Sequence, residues 1–126
     1  MHIIIVCNVE QRHWYFQFFD GFKESCDELC IDFDIIDASE YVYNIDDIFI
    51  IISTSYFTIN QGGSNVFIYE TEPFNTKNRE RNINRYKGYT ILTYSHANMQ
   101  VILENKIQCY YLPPAYSRVN DYSHVV

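Results

Sequence analysis

Glycine and proline are scarce in this chain, with four and three among 126 residues. That scarcity excludes collagen-like and low-complexity organisation. Long apolar runs are missing as well. The longest, residues 3–7 and 48–52, are strand-sized and far short of the roughly 18–20 residues that a spanning helix needs. The first residues lack a basic stretch, and the apolar string behind them is too short for a secretory leader. There is no Asn-x-Ser/Thr sequon. Together these absences predict an intracellular, cytoplasmic protein without a membrane span.

Nucleotide and hydrolase signatures are also missing. Asn8-Val9-Glu10-Gln11-Arg12 follows the first apolar string where a G-x-G-x-x-G would stand, and no P-loop or G-x-S-x-G elbow occurs. The four cysteines (Cys7, Cys26, Cys30, Cys109) form no C-x-x-C, and His2, His13, His96 and His124 are scattered. Zinc-site spacing is therefore absent, and the cysteines read as reduced, mostly buried thiols. Neither a metal nor a cofactor is indicated, and no catalytic residue can be assigned.

What the chain does have is core material. Apolar residues make up 48%, with 12 Tyr, 9 Phe and 1 Trp, enough for one globular domain. The net charge of −7 excludes general nucleic-acid binding, which needs a basic surface. One window runs against that balance. Lys77, Arg79, Arg81, Arg85 and Lys87 face a single acid, Glu80, so residues 77–87 carry +4 and leave −11 elsewhere. A solvated helix face is the ordinary reading of such a window; a contact with an anion or partner is the other.

Residues 2–7 (H-I-I-I-V-C) form a continuous β-branched run, the mark of a strand covered on both faces. Trp14, Phe18, Phe22, Cys26 and Leu29 then recur at helical spacing on one amphipathic stripe. Further strands are predicted at 33–36, 48–52, 66–69, 89–94 and 107–112. Residues 56–65 read as a loop turning at Gln61-Gly62-Gly63-Ser64. Helices are predicted over 76–87, stopped by Gly88, and after Ser95 as a cap, with Met99, Ile102 and Leu103 facing inward.

Strands alternating with helices predict an α/β fold: a three-layer Rossmann-like αβα sandwich with a mainly parallel sheet of about six strands. The domain is expected to span residues 1–116, with 117–126 a tail or linker. A site in such a fold belongs at the carboxyl ends of the strands. There stand Asn8, Glu70 and Glu72, Tyr94-Ser95-His96 and Tyr116. Glu70 and Glu72, two apart on an extended strand, would point the same way and grip hydroxyls or share acid–base roles; Glu72 also suits the start of a helix. Tyr94, Tyr110, Tyr111 and Tyr116 gather near the last two strands, as core or rim packing or as platforms for sugars and bases.

Three segments together carry a resemblance. Phe67-Ile68-Tyr69-Glu70-Thr71-Glu72-Pro73-Phe74 resembles a "Y-N-x-E-x" strand end in the amino-terminal half of two-domain glycosyltransferase-like proteins of bacteria, algae and large DNA viruses. Tyr94-Ser95-His96-Ala97-Asn98 is similar to that group's "D-Y-S-x-x-N" element, and Tyr110-Tyr111-Leu112-Pro113-Pro114-Ala115-Tyr116 to its "Y-x-P-x-x-Y" element. The likeness covers residues 66–118. It implies a GT-B arrangement, in which this half holds a glycan acceptor and a second half binds the nucleotide sugar. By motif position Glu72, Tyr94, Ser95, Asn98, Pro113 and Tyr116 carry over, and Asn8 and His96 join them as substrate-binding candidates from their strand ends. Glu70 and Thr93 depart from the pattern, which expects Asn and Asp. The expected partners are a glycan acceptor, a companion donor-binding domain through which alone a nucleotide sugar enters, or a second copy of the chain. The alternative is a non-enzymatic interaction module on the same scaffold.

Overall fold

The computed structural model describes residues 1–8, 16–53, 63–71 and 74–113. The elements among the described residues run β1 (His2–Cys7), α1 (Phe16–Glu28), β2 (Asp32–Asp37), β3 (Ile48–Ser53), β4 (Val66–Glu70), α2 (Arg79–Tyr86), β5 (Thr90–Thr93), α3 (His96–Glu104) and β6 (Cys109–Tyr111), with a short 3-10 turn at Ala38–Glu40 between β2 and β3. The strands form one sheet in the order β2-β1-β3-β4-β5-β6, and every pairing is parallel. This is the expected α/β sandwich. Its order reverses between β1 and β3, the switch point of a doubly wound sheet.

Alternation along each strand divides the core in two. Ile5, Cys7, Ile50, Ile52 and Tyr69 pack with Phe19 of α1 on one face. Val6, Phe49, Ile51 and Val66 fill the other, beneath Ala38, Tyr41 and Tyr43 of the β2–β3 connection. Farther along that second face, Ile68, Ile91 and Cys109 meet Ile83 and Tyr86 of α2 and Ile102 of α3. Each fully buried Ile or Phe contributes about 1.5–3 kcal/mol, so the sheet is held mainly by this double-sided burial. No helix among the described residues is long and apolar enough to cross a membrane.

Several boundaries differ from the sequence reading, each for a local reason. Leu29 does not continue the α1 stripe, because the helix stops at Glu28 and leaves Leu29 69% exposed. Trp14 lies outside the described residues. In α2 the first turn expected at 76–78 is replaced by a cap: Asn75 Oδ1 accepts from the amides of Lys77 and Asn78, and Asn78 Oδ1 accepts from the Asn75 amide. In α3, Ile102 is buried and Met99 packs beside it, but Leu103 is exposed. Asn98, one turn before Ile102, takes the inward position in its place. Of the turn read at 61–64 only Gly63 and Ser64 are among the described residues, and the tail read at 117–126 lies outside them.

The helix ends share a device. Cys30, Gly88 and Lys106, just past α1, α2 and α3, all take left-handed backbone at φ 56°, 88° and 59°. After α1 the Ile31 amide donates to the Cys26 carbonyl and Cys30 to Asp27; after α3, Ile107 donates to Ile102 and Lys106 to Leu103. These are Schellman closures, and they turn the chain sharply into the following strand.

Candidate functional site

Register brings the carboxyl ends level. Ser53 pairs with Glu70, Glu70 with Thr93, and Thr93 with Tyr111, so one row crosses β3 to β6. Val6 pairs with Ile51, which sets Asn8 opposite Ser53 at the switch point. Asn8 is thus about three strands away from the β5–β6 end and separate from the other candidates. Glu72 and Tyr116 lie outside the described residues. Strand β4 ends at Glu70, so of the two-carboxylate pair only Glu70 falls within the described residues. Glu70 itself is buried, 2% exposed, and points into the protein rather than to open solvent.

Tyr94, Ser95, His96 and Asn98 do come together, at the junction of β5 and α3. Ser95 caps α3 as expected: its side chain accepts from the Asn98 amide at 3.1 Å. Its own amide donates to Thr93 Oγ1. The buried Asn98 side chain accepts from the Phe74 amide at 3.0 Å, and the Tyr94 hydroxyl donates to the Thr71 carbonyl at 2.6 Å. Both tether the segment leaving β4. Three of the four candidates therefore spend their polar groups on shaping the rim.

The aromatic rings arrange themselves around that rim in two stacks. Tyr69 lies against Tyr94, ring centroids 6.3 Å apart, and donates its hydroxyl to the Leu112 carbonyl at 2.7 Å. Burial pushes the Tyr69 phenol well above its ordinary range, and the neighbouring Tyr94 and Tyr111 phenols add to this; it stays a neutral donor at physiological pH. His96 and Tyr111 stack at 4.1 Å with planes 16° apart, and both are exposed. The Leu112 amide donates to the Thr93 carbonyl, which fixes the chain as it leaves β6.

His96 and Tyr111 thus offer an imidazole, a phenol and an aromatic edge to solvent, with the Tyr94 ring beside them. That set suits a ring-shaped polar ligand, which presents apolar C–H faces and hydroxyl edges. Tyr110, grouped with these tyrosines in the sequence, lies on the face of β6 opposite Tyr111, in register with Leu92 and Tyr69. Tyr69 is the addition that structure makes, and Tyr111, already grouped with the rim tyrosines, gains His96 as its stacking partner. The signal of Tyr69 in the sequence was position at a strand end, which pairing alone resolves.

The basic window behaves as a solvated helix face. Asn82, Ile83 and Tyr86 turn inward, while Lys77, Arg79, Arg81 and Lys87 are exposed. Among the described residues, no group of three or more His, Cys, Asp and Glu side chains is placed to hold a metal. No family model matches the chain, and no curated protein or solved structure is significantly similar to it.

Proposed function

We propose that this chain is the acceptor-binding, amino-terminal half of a GT-B-type glycosyltransferase-like protein, with a saccharide seated on the rim at the carboxyl ends of β4, β5 and β6. The observation that supports this reading is the exposed His96–Tyr111 stack, set beside Tyr94 on a rim braced by Ser95 and Asn98. The described parts of the three motif segments, residues 67–71 and 74, 94–98 and 110–113, end at that rim. Sugar transfer then requires a second Rossmann-like half to bring the nucleotide sugar, because groups from both sides of a cleft must meet the transition state. Glu72 and Tyr116, carried over by motif position, belong to the same proposed site; Asn8, at the end of β1, stands apart from it. The proposed setting is the cytoplasm, that of the host for a viral protein.

Calorimetric titration with a panel of mono- and oligosaccharides tests this. Wild-type protein is expected to bind at least one of them. H96A and Y111A are expected to weaken that binding about tenfold each, the scale of losing one stacked aromatic contact of about 1.4 kcal/mol. Binding that is unchanged by both substitutions, or absent across the panel, contradicts the reading.

A further inference from the structure

Two stretches of eleven residues carry equal and opposite charge. Residues 77–87 hold five bases and one acid, a net of +4; residues 37–47 hold Asp37, Glu40, Asp46 and Asp47 with no base, a net of −4. Both lie on the same side of the sheet. Ala38, Tyr41 and Tyr43 pack over Val6, Phe49 and Ile51, and α2 packs farther along that face over Ile68 and Ile91. The acidic stretch links β2 to β3 across β1, whereas α2 links β4 to β5. Two to three strand spacings, about 10–14 Å, separate them. That exceeds the screening length of about 8 Å at physiological salt, so one cluster does not neutralise the other within the molecule.

Lys77, Arg81 and Arg85 recur at every fourth residue and line one open hollow with Glu80 and Asn84. Lys77, Arg79, Arg81 and Lys87 make no ion pair among the described residues. In the acidic stretch Glu40 and Asp46 are exposed, and they flank two of the most exposed apolar side chains, Val42 at 78% and Ile45 at 76%. Such side chains on a connection between strands gain by being covered.

We infer that this face is a self-association surface, in which α2 of one copy lies on residues 37–47 of a second copy. Because both clusters share one face, a two-fold axis pairs each with its complement, and the assembly closes as a dimer rather than growing. The chain's overall −7 disfavours a nucleic-acid occupant for the basic row. The aliphatic stems of Lys77 and Arg81 cover Val42 and Ile45 while their heads reach Glu40 and Asp46. This inference is independent of the saccharide reading, which concerns the carboxyl rim of β4–β6.

Sedimentation velocity over a concentration series tests it. At about 0.1 M salt the Debye length of about 10 Å damps the repulsion between two like-charged copies yet leaves ion pairs in contact; at about 1 M it falls to about 3 Å. Dimer is expected at the lower salt and monomer at the higher. K77E/R81E and E40K/D46K are each expected to weaken dimerisation tenfold or more, on the order expected for several coupled exposed pairs. Far-ultraviolet dichroism and melting establish that both variants are folded. Mixing the two restores the dimer, since both contacts of the heterodimer are then complementary. Wild type that stays monomeric at every concentration overturns the proposal. So does a dimer indifferent to either double variant, mixed variants that fail to pair, or binding of the basic row to duplex DNA in its stead.

Discussion

Asn98 accepts a hydrogen bond from the backbone amide of Phe74 across 24 residues of sequence, at 3.0 Å and with its side chain buried. This bond joins the first turn of α3 to the segment leaving β4, and so holds two walls of the candidate site in register. Asn98→Ala leaves a part-buried amide without its acceptor, a loss of about 1–3 kcal/mol. Tyr94→Phe removes a more exposed tether to Thr71 and is expected to cost less, about 0.5–1.5 kcal/mol. Urea denaturation of both variants checks the order. A Tyr94→Phe cost above that of Asn98→Ala contradicts the assignment of Asn98 as the principal brace.

The left-handed helix ends give predictions of opposite sign. Lys106 and Cys30 pay a steric penalty that glycine avoids, so Lys106→Gly and Cys30→Gly are expected to stabilise by up to about 1 kcal/mol. Gly88→Ala, at φ 88° with open space around the new Cβ, is expected to destabilise by about 1 kcal/mol through backbone strain alone. Melting temperatures of the three variants read this directly. The account fails here if Lys106→Gly and Gly88→Ala shift the melting point in the same direction.

Burial pushes the Cys109 thiol up from its ordinary 9.0 to about 11, and the Tyr69, Tyr41 and Cys26 groups shift in the same direction. Below about pH 9 the Cys109 thiol is protonated whether the chain is folded or not, and contributes no pH dependence. Between pH 9 and 11 the unfolded chain gives up this proton while the native state keeps it, so stability falls as pH rises. Chemical denaturation at pH 8, 9, 10 and 11 measures the decline. Cys109→Val is expected to flatten the part of it between pH 9 and 11; an unchanged slope in that variant removes Cys109 from the explanation.

Cysteine accessibility gives an independent check on the core. Cys7, Cys26 and Cys109 are buried and Cys30 is exposed. In native protein one thiol, Cys30, is expected to react promptly with a thiol reagent, and the other three only after unfolding. Prompt modification of Cys7 contradicts its position on β1.

The layers of this fold were legible because parallel strands covered on both faces read as continuous β-branched runs, as in Ile3-Ile4-Ile5-Val6 and Ile50-Ile51-Ile52. Strand order was not, since hydrophobic runs carry no information about which neighbour each strand pairs with. Helix ends were legible only where glycine marked them. Gly88 announced the end of α2, whereas Cys30 and Lys106 adopt the same backbone with side chains that give no such sign. At the site, Ser95 was readable as a cap because capping is local. The inward turn of Asn98 and the stacking of His96 on Tyr111 depend on contacts between elements, which the sequence presents as separate motifs.

The most direct test of the site is a map of amide chemical shifts in isotope-labelled protein titrated with the saccharides that bind. Perturbations centred on Tyr94, His96, Asn98 and Tyr111 are the predicted result. Perturbations confined to the amino-terminal ends of the strands, around Asp32, Asp46 and Gln108, contradict it.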